Sequence, residues 1–143
     1  MTEGAILIEE AVEGGGEVDG VVRVDRLRLW KRRWRGTAED GLEIAVALVE
    51  PAKDGQVLCG GGKRFRVEQI EEEVVVIGMP KQASMAAKIG WYFGNRHLPI
   101  EVREDAILLE NFPTLTASLE RIGIPYEIRC EVLNCRPHSE HTH

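Results

Sequence analysis

A chain of 143 residues with 43% apolar residues and a net charge of −6 has the make-up of one ordinary globular domain or two small ones. No run approaches the length of a bilayer span and no apolar block follows Met1, so a cytoplasmic protein without a membrane partner is expected. The acidic balance argues against nucleic acid as a general partner, and three scattered cysteines, Cys59, Cys130 and Cys135, are too few and too odd for a disulfide framework.

In chain order, Ala5 to Val12 (AILIEEAV) has strand character and Glu13 to Gly20 is a turn rich in glycine and acid. From Val21 to Trp30 apolar residues alternate with charged ones, with a phase slip at Asp25-Arg26 that predicts a bulged, half-buried strand. LWKRRWRG leads to a Glu39-Asp40-Gly41 turn, and EIAVALVEP closes a hairpin. QVLCG and RFRVEQI follow around Gly60-Gly61-Gly62. Short strands at hairpin spacing predict an all-β domain, a small barrel or sandwich, over residues 1–73.

After the acidic run Glu71 to Glu73 the texture changes. Val74 to Ile77 reads as a buried strand, Pro80 as a first-turn residue, and the helix that follows as continuing through Ile89 to a turn at Gly94-Asn95. Leu98 to Val102 and Ala106 to Leu109 form a hairpin around Arg103-Glu104-Asp105. Asn111 is expected as an N-cap and Pro113 in the first turn of a helix, with Leu115, Leu119 and Ile122 on one face, ending at Gly123. Pro125 to Leu133 gives a last strand. The order βαββαβ over residues 74–134 predicts a ferredoxin-like domain, so the fold class is α+β. Residues 135–143 close the chain as a flexible, histidine-bearing tail, because Asn134 to His143 (NCRPHSEHTH) has no apolar period to hold it to a core.

Three of the four histidines, His138, His141 and His143, fall in the last six residues, and the fourth is His97. Imidazole suits borderline divalent ions, and Ni(II), Zn(II) and Cu(II) all bind such ligands. Taken alone, the tail also fits a solvated terminus, and His97 a loop histidine bonded to a carbonyl. One histidine cannot complete a metal shell, so a site built on His97 requires a two-fold dimer that brings two copies together. Cys135 is a minor ligand candidate, whereas Cys130, on a strand, is expected to be buried.

The stretch Arg23 to Arg35 carries seven basic residues with Trp30 and Trp34 between them. It fits a solvated amphipathic strand, or a single-stranded RNA platform on which bases stack. The Gly60-Gly61-Gly62-Lys63 run lacks the rest of a phosphate-binding loop, and neither Gly-x-Ser-x-Gly nor HExxH occurs, so an enzyme is not expected.

GNRH at Gly94 to His97, followed by Leu98-Pro99-Ile100 at a helix-to-strand junction, resembles the signature of the urease accessory protein UreE family. The resemblance implies a nickel metallochaperone for urease maturation. In that family the GNRH histidines meet at a homodimer interface formed by ferredoxin-like domains, and the ion passes to the urease apoprotein and its other accessory proteins, a GTPase among them. Carried onto this chain, His97 is the bridging ligand, supported by Gly94, Asn95 and Arg96, and His138, His141 and His143 are auxiliary ligands. Trp30, Arg32, Arg33 and Trp34 fall where the family's first domain, regarded as protein-binding, has Arg-rich strands. Many members carry a histidine two residues before the GNRH glycine, where this chain has Tyr92.

Overall fold

A computed structural model describes residues 4–138 as a mixed α and β chain. It divides into two compact units, Met1–Ile70 and Glu71–His143.

The first unit contains two sheets. One takes the order β1-β5-β4, from β1 (Ile6–Ile8), β5 (Glu43–Ala47) and β4 (Arg33–Thr37). The other runs β2-β6-β7-β3, from β2 (Glu10–Val12), β6 (Val57–Gly60), β7 (Lys63–Gln69) and β3 (Gly20–Val24). The expected first strand is therefore two short ones that pair in different sheets. Alternation along β3, β4 and β5 puts Val22, Val24, Trp34, Ile44 and Val46 into one core with Ile8, Leu58, Phe65 and Val67. Full burial of a side chain such as Phe65 contributes roughly 1.5–3 kcal/mol. The β6–β7 hairpin turns at Gly61 and Gly62, both at positive φ (58° and 75°), a two-residue turn that glycine adopts without cost.

The phase slip at Asp25-Arg26 is not a bulge. It is one helical turn, α1 (Arg26–Leu29), with the Asp25 side chain capping it by accepting from the Arg28 amide at 3.1 Å. A cap residue before four helix-tolerant side chains competes with strand alternation, and here the cap prevails.

In the second unit, β8 (Glu72–Gly78), β9 (Glu101–Val102), β10 (Ala106–Glu110) and β11 (Glu127–Glu131) form an antiparallel sheet in the order β11-β8-β10-β9. Glu72 and Glu73 of the acidic run are the first residues of β8. Helix α2 (Ala83–Asn95) lies between β8 and β9, and α3 (Leu115–Ile122) between β10 and β11. The cap of α2 is Gln82 and that of α3 Thr114, so Pro80, Asn111 and Pro113 stand before the helices rather than in their first turns. The Asn111 side-chain amide donates instead to Glu73 at 2.6 Å. Gly123 ends α3 at φ 78°, and Ile122 is exposed while Leu115 and Leu119 are buried.

One face of this sheet, Val75, Ile77, Ile107 and Leu109, packs on the helices through Ile89, Phe93, Leu115 and Leu119. The opposite face, Val74, Val76, Ala106 and Leu108, is covered by Leu133 and Cys135. The chain after β11 is therefore a strap across the sheet as far as the described residues go. Two apolar side chains, Leu133 and Cys135, hold it where no periodic pattern announced it.

Candidate metal centre

Helix α2 runs through Gly90 and Gly94 to Asn95, into the expected turn, because Phe93 still has a core to fill on the inner face. Tertiary burial overrides two glycines that weaken the helix intrinsically. The end is a Schellman closure: the His97 amide donates to the Gly94 carbonyl at 3.0 Å and the Leu98 amide to the Phe93 carbonyl at 3.0 Å. The residue in the left-handed conformation is His97 itself, at φ 58°, and not a glycine. Among the described residues it is the one non-glycine with positive φ.

Around it, Arg96 lays its guanidinium over the Tyr92 ring at 4.5 Å, and Tyr92 meets Phe93 edge-on at 5.5 Å. Phe93 and Pro99 are buried on either side of the closure, whereas Asn95, Arg96 and His97 are exposed. The imidazole is thus carried by a backbone fixed at both flanks. Tyr92, at the position where an auxiliary histidine was in question, serves as the shelf for Arg96.

Strand register determines what else shares this end of the sheet. Glu101 pairs with Leu108, Glu110 with Val74, and Glu131 with Glu72. The loop before β9, the loop after β10 and the segment after β11 therefore lie at one end, and His97, Phe112 and the strap emerge there together. Hydrogen bonds around Arg103 and Glu101 fix the start of the strap, and the Arg103 guanidinium also donates to the Val132 carbonyl at 3.5 Å. Arg103 donates to Glu101 and to Glu131, each at 2.8 Å, and the Asn134 amide donates to the other Glu101 oxygen at 2.7 Å. Hydrogen bonds to Glu101 and then Glu131 hold the Arg103 pKa above its ordinary value, and the Arg103 bond in turn lowers that of Glu131. His138 then packs against Phe112 with the rings tilted by 55° and their centroids 4.7 Å apart, and its Nδ1 is buried and unpartnered among the described residues.

Several expectations change. Cys135 is 8% exposed and packs against the sheet rather than standing on a free tail, while Cys130, expected inside, is exposed on the outer strand β11. His138 belongs to a packed strap rather than a flexible tail; His141 and His143 lie outside the described residues. No group of three or more His, Cys, Asp or Glu that could hold a metal ion occurs among the described residues of one chain, whose topology brings His97 and His138 to the same end of the sheet. In the first unit, Trp34 is 7% exposed in the core, so it offers no surface to a partner or to a stacking base, whereas Trp30, Arg32 and Arg33 are exposed. Sequence reasoning missed Phe112 as the platform of His138; the pattern FP before a helix carries no signal for it.

The profile describing the C-terminal domain of the UreE urease accessory protein matches residues 72–143, the unit that carries this end. A urease accessory protein UreE of Corynebacterium efficiens is 31% identical over 119 residues, covering 80% of each chain. The chain belongs to the UreE urease accessory protein family. A UreE of Bacillus cereus is 34% identical over 120 residues, 80% of this chain and 78% of its own, and one of Staphylococcus saprophyticus 30% over 108 residues, 74% and 72%. All three UreE relatives match over more than two thirds of both chains, so the likeness extends beyond the GNRH loop into the β-rich first unit. Each is named as an accessory protein and none as an enzyme. No helix among the described residues is long and apolar enough to cross a membrane.

Proposed function

We propose that this UreE-family chain acts in urease maturation as a nickel metallochaperone: it binds Ni(II) across a homodimer through His97 of each copy and passes the ion to the urease apoprotein through other accessory proteins. One observation carries the reading. His97 occupies a left-handed helix-closing position that glycine fills at lower energy, and its side chain is left exposed with no structural task. A conformational cost retained at an exposed imidazole fits a ligand.

The dimer is supported by the outer face of α2, where Ala83, Ala87 and Trp91 follow at one-turn spacing and are exposed, Trp91 by 69%. That face runs toward His97, so joining two copies along it brings two imidazoles together under two-fold symmetry. The second unit is then the ferredoxin-like binding and dimerisation domain and the first the protein-binding one. His138, emerging at the same end, is the candidate auxiliary ligand, with His141 and His143 beyond it. Neutral imidazoles and open coordination positions allow the exchange that delivery requires, and Zn(II) or Cu(II) competes for the same donors.

Calorimetric titration of the intact chain with Ni(II), with mass measured by light scattering, tests this. The expected result is a dimer with a tight site of about one ion per two chains that is absent in His97→Gly. Unchanged stoichiometry and affinity in that variant removes His97 from the role.

A further inference from the structure

Strand β11 is the last strand of its sheet, and no strand among the described residues pairs with its outer edge. Such an edge carries open amide and carbonyl groups that another strand can join, and proteins keep edges short, covered or guarded by charge. The opposite edge follows this rule, since β9 has only two residues. β11 has five, Glu127–Glu131, and the first four are exposed. Its charges do not form a guard. Side chains of one sign would repel a second copy, whereas Glu127, Arg129 and Glu131 alternate in sign along one face.

The pairing with β8 sets Glu127 and Arg129 beside Val76 and Val74 on the face that carries the strap, and Ile128 beside Val75 on the face that carries the helices. There Ile128, 43% exposed, borders a groove of about 460 Å³ with Asn111, Phe112, Pro113, Thr116 and Tyr126. On the other face Arg129 meets Glu127 at 2.6 Å, and their side chains remain 52% and 64% exposed. The edge thus offers open backbone, an apolar side chain with room beside it, and two accessible charges of opposite sign.

Three antiparallel registers about a two-fold axis differ in what they bring together. An axis at Arg129 sets arginine against arginine and Glu127 against Glu131 of the second copy, which are like charges face to face. An axis at Cys130 sets Arg129 against Glu131, yet Glu131 is already engaged by Arg103 at 2.8 Å and its side chain is 26% exposed. An axis at Ile128 sets Arg129 against Glu127 twice, once in each direction, and Ile128 against Ile128 beside the groove. That register alone satisfies backbone, charge and apolar contact together.

We infer that the outer edge of β11 is an interface for a second copy of this chain, joined antiparallel about Ile128 so that two four-stranded sheets become one of eight strands. The occupant is a second copy because the strand is complementary to its own reverse. No residue of α2 takes part, so this contact is separate from the proposed pairing along that helix. Where both contacts form, pairs of chains join into larger assemblies.

The test follows the mass of the full chain by light scattering from about 1 μM to about 1 mM, a range that covers weak two-fold contacts. Mass is expected to at least double through this contact, whether the starting unit is one chain or a pair joined along α2. Glu127→Arg sets arginine against arginine across the axis and Arg129→Glu sets glutamate against glutamate, so each variant alone should need roughly tenfold more protein, or more, to reach the same step. An equimolar mixture of the two variants should bring the midpoint back to that of the parent, because each substituted side chain then faces the opposite charge. Melting curves confirm that both variants fold, and rescue by mixing is a readout that local damage to the strand cannot produce. Trp91→Glu, on the outer face of α2, should keep a step that Glu127→Arg still shifts, so failure of the α2 pairing and failure of this edge are read separately. A parent mass that stays constant over the range, a midpoint that neither charge variant moves, or single variants that mixing does not rescue overturns the inference.

Discussion

The His97 amide reaches the Gly94 carbonyl at 3.0 Å only because His97 takes φ 58°, and this couples the geometry of the candidate ligand to the closing of α2. A non-glycine residue in that region costs roughly 1–2 kcal/mol, less for His than for branched residues, whereas glycine adopts it freely. His97→Gly should therefore leave stability unchanged or raise it by up to about 1 kcal/mol, after its extra unfolded-state entropy is subtracted, and His97→Ala should lower it slightly. Urea denaturation of the three proteins gives the order. A glycine variant less stable than the alanine variant shows that the imidazole itself holds the loop, and the argument from conformational cost then fails.

The tilted Phe112–His138 ring contact makes a second expectation. A ring whose centroid lies 4.7 Å from that of a phenyl ring experiences its ring current, so the His138 ring protons in an NMR spectrum should be displaced from random-coil positions and return to them in Phe112→Ala. The variant loses about 0.5–1.5 kcal/mol of contact energy and should leave β8 to β11 intact. Random-coil shifts for His138 in the unsubstituted protein sink this placement of the strap.

Arg103 joins Glu101 of β9 to Glu131 of β11, and its bond lowers the Glu131 pKa. The sign follows from linkage. A carboxylate with a depressed folded-state pKa gives stability that is fully present above the ordinary glutamate value and is lost as pH falls through the depressed one. Arg103→Gln should accordingly be less stable than the parent at neutral pH, with the gap narrowing at an acid pH below the ordinary glutamate value, as Glu131 gains its proton in the folded state. Denaturation midpoints at the two pH values decide it, and a gap that widens in acid means that Arg103 acts through packing rather than charge.

Element types were largely readable from the chain because periodicity and turn chemistry agree in most places: β4–Asp40-Gly41–β5, β6–Gly61-Gly62–β7 and the Gly123 stop are local statements that tertiary contacts did not overturn. The misses occur where a non-local contact decides. The turn at Gly94-Asn95 suggested a glycine as the left-handed residue that closes α2, yet the burial of Phe93 carries the helix through Asn95, and the left-handed position falls on His97. Alternation cannot tell which tryptophan points inward once α1 interrupts the phase, so Trp30 and Trp34 received the same role although only Trp30 is accessible. In the site, GNRH was legible as a motif, but the strap that brings His138 to the same end was not, since its hold depends on Leu133, Cys135 and Glu101, separated in sequence by more than thirty residues at the extremes.

The two C-terminal cysteines provide the sharpest test of that strap. Expectation from the sequence placed Cys130 inside and Cys135 on a free tail, and the structure reverses both: Cys130 is exposed on β11, and Cys135 packs with Val74, Val76, Ala106 and Leu108 on the helix-free face of the sheet. Thiol reactivity follows access to the reagent as well as thiolate character, so a neutral disulfide probe applied to the native protein should label Cys130 quickly, Cys59 more slowly and Cys135 only through local opening. Peptide mass mapping after timed quenching reads all three sites in one sample. Adding Leu133→Ala should accelerate Cys135 labelling specifically, because Leu133 is the fully buried residue that anchors the strap two positions upstream, while Cys130 keeps its rate. If Cys135 labels as fast as Cys130 in the unsubstituted protein, the segment after β11 is not bound across the sheet, and His138 loses the placement that brings it to the end where His97 stands.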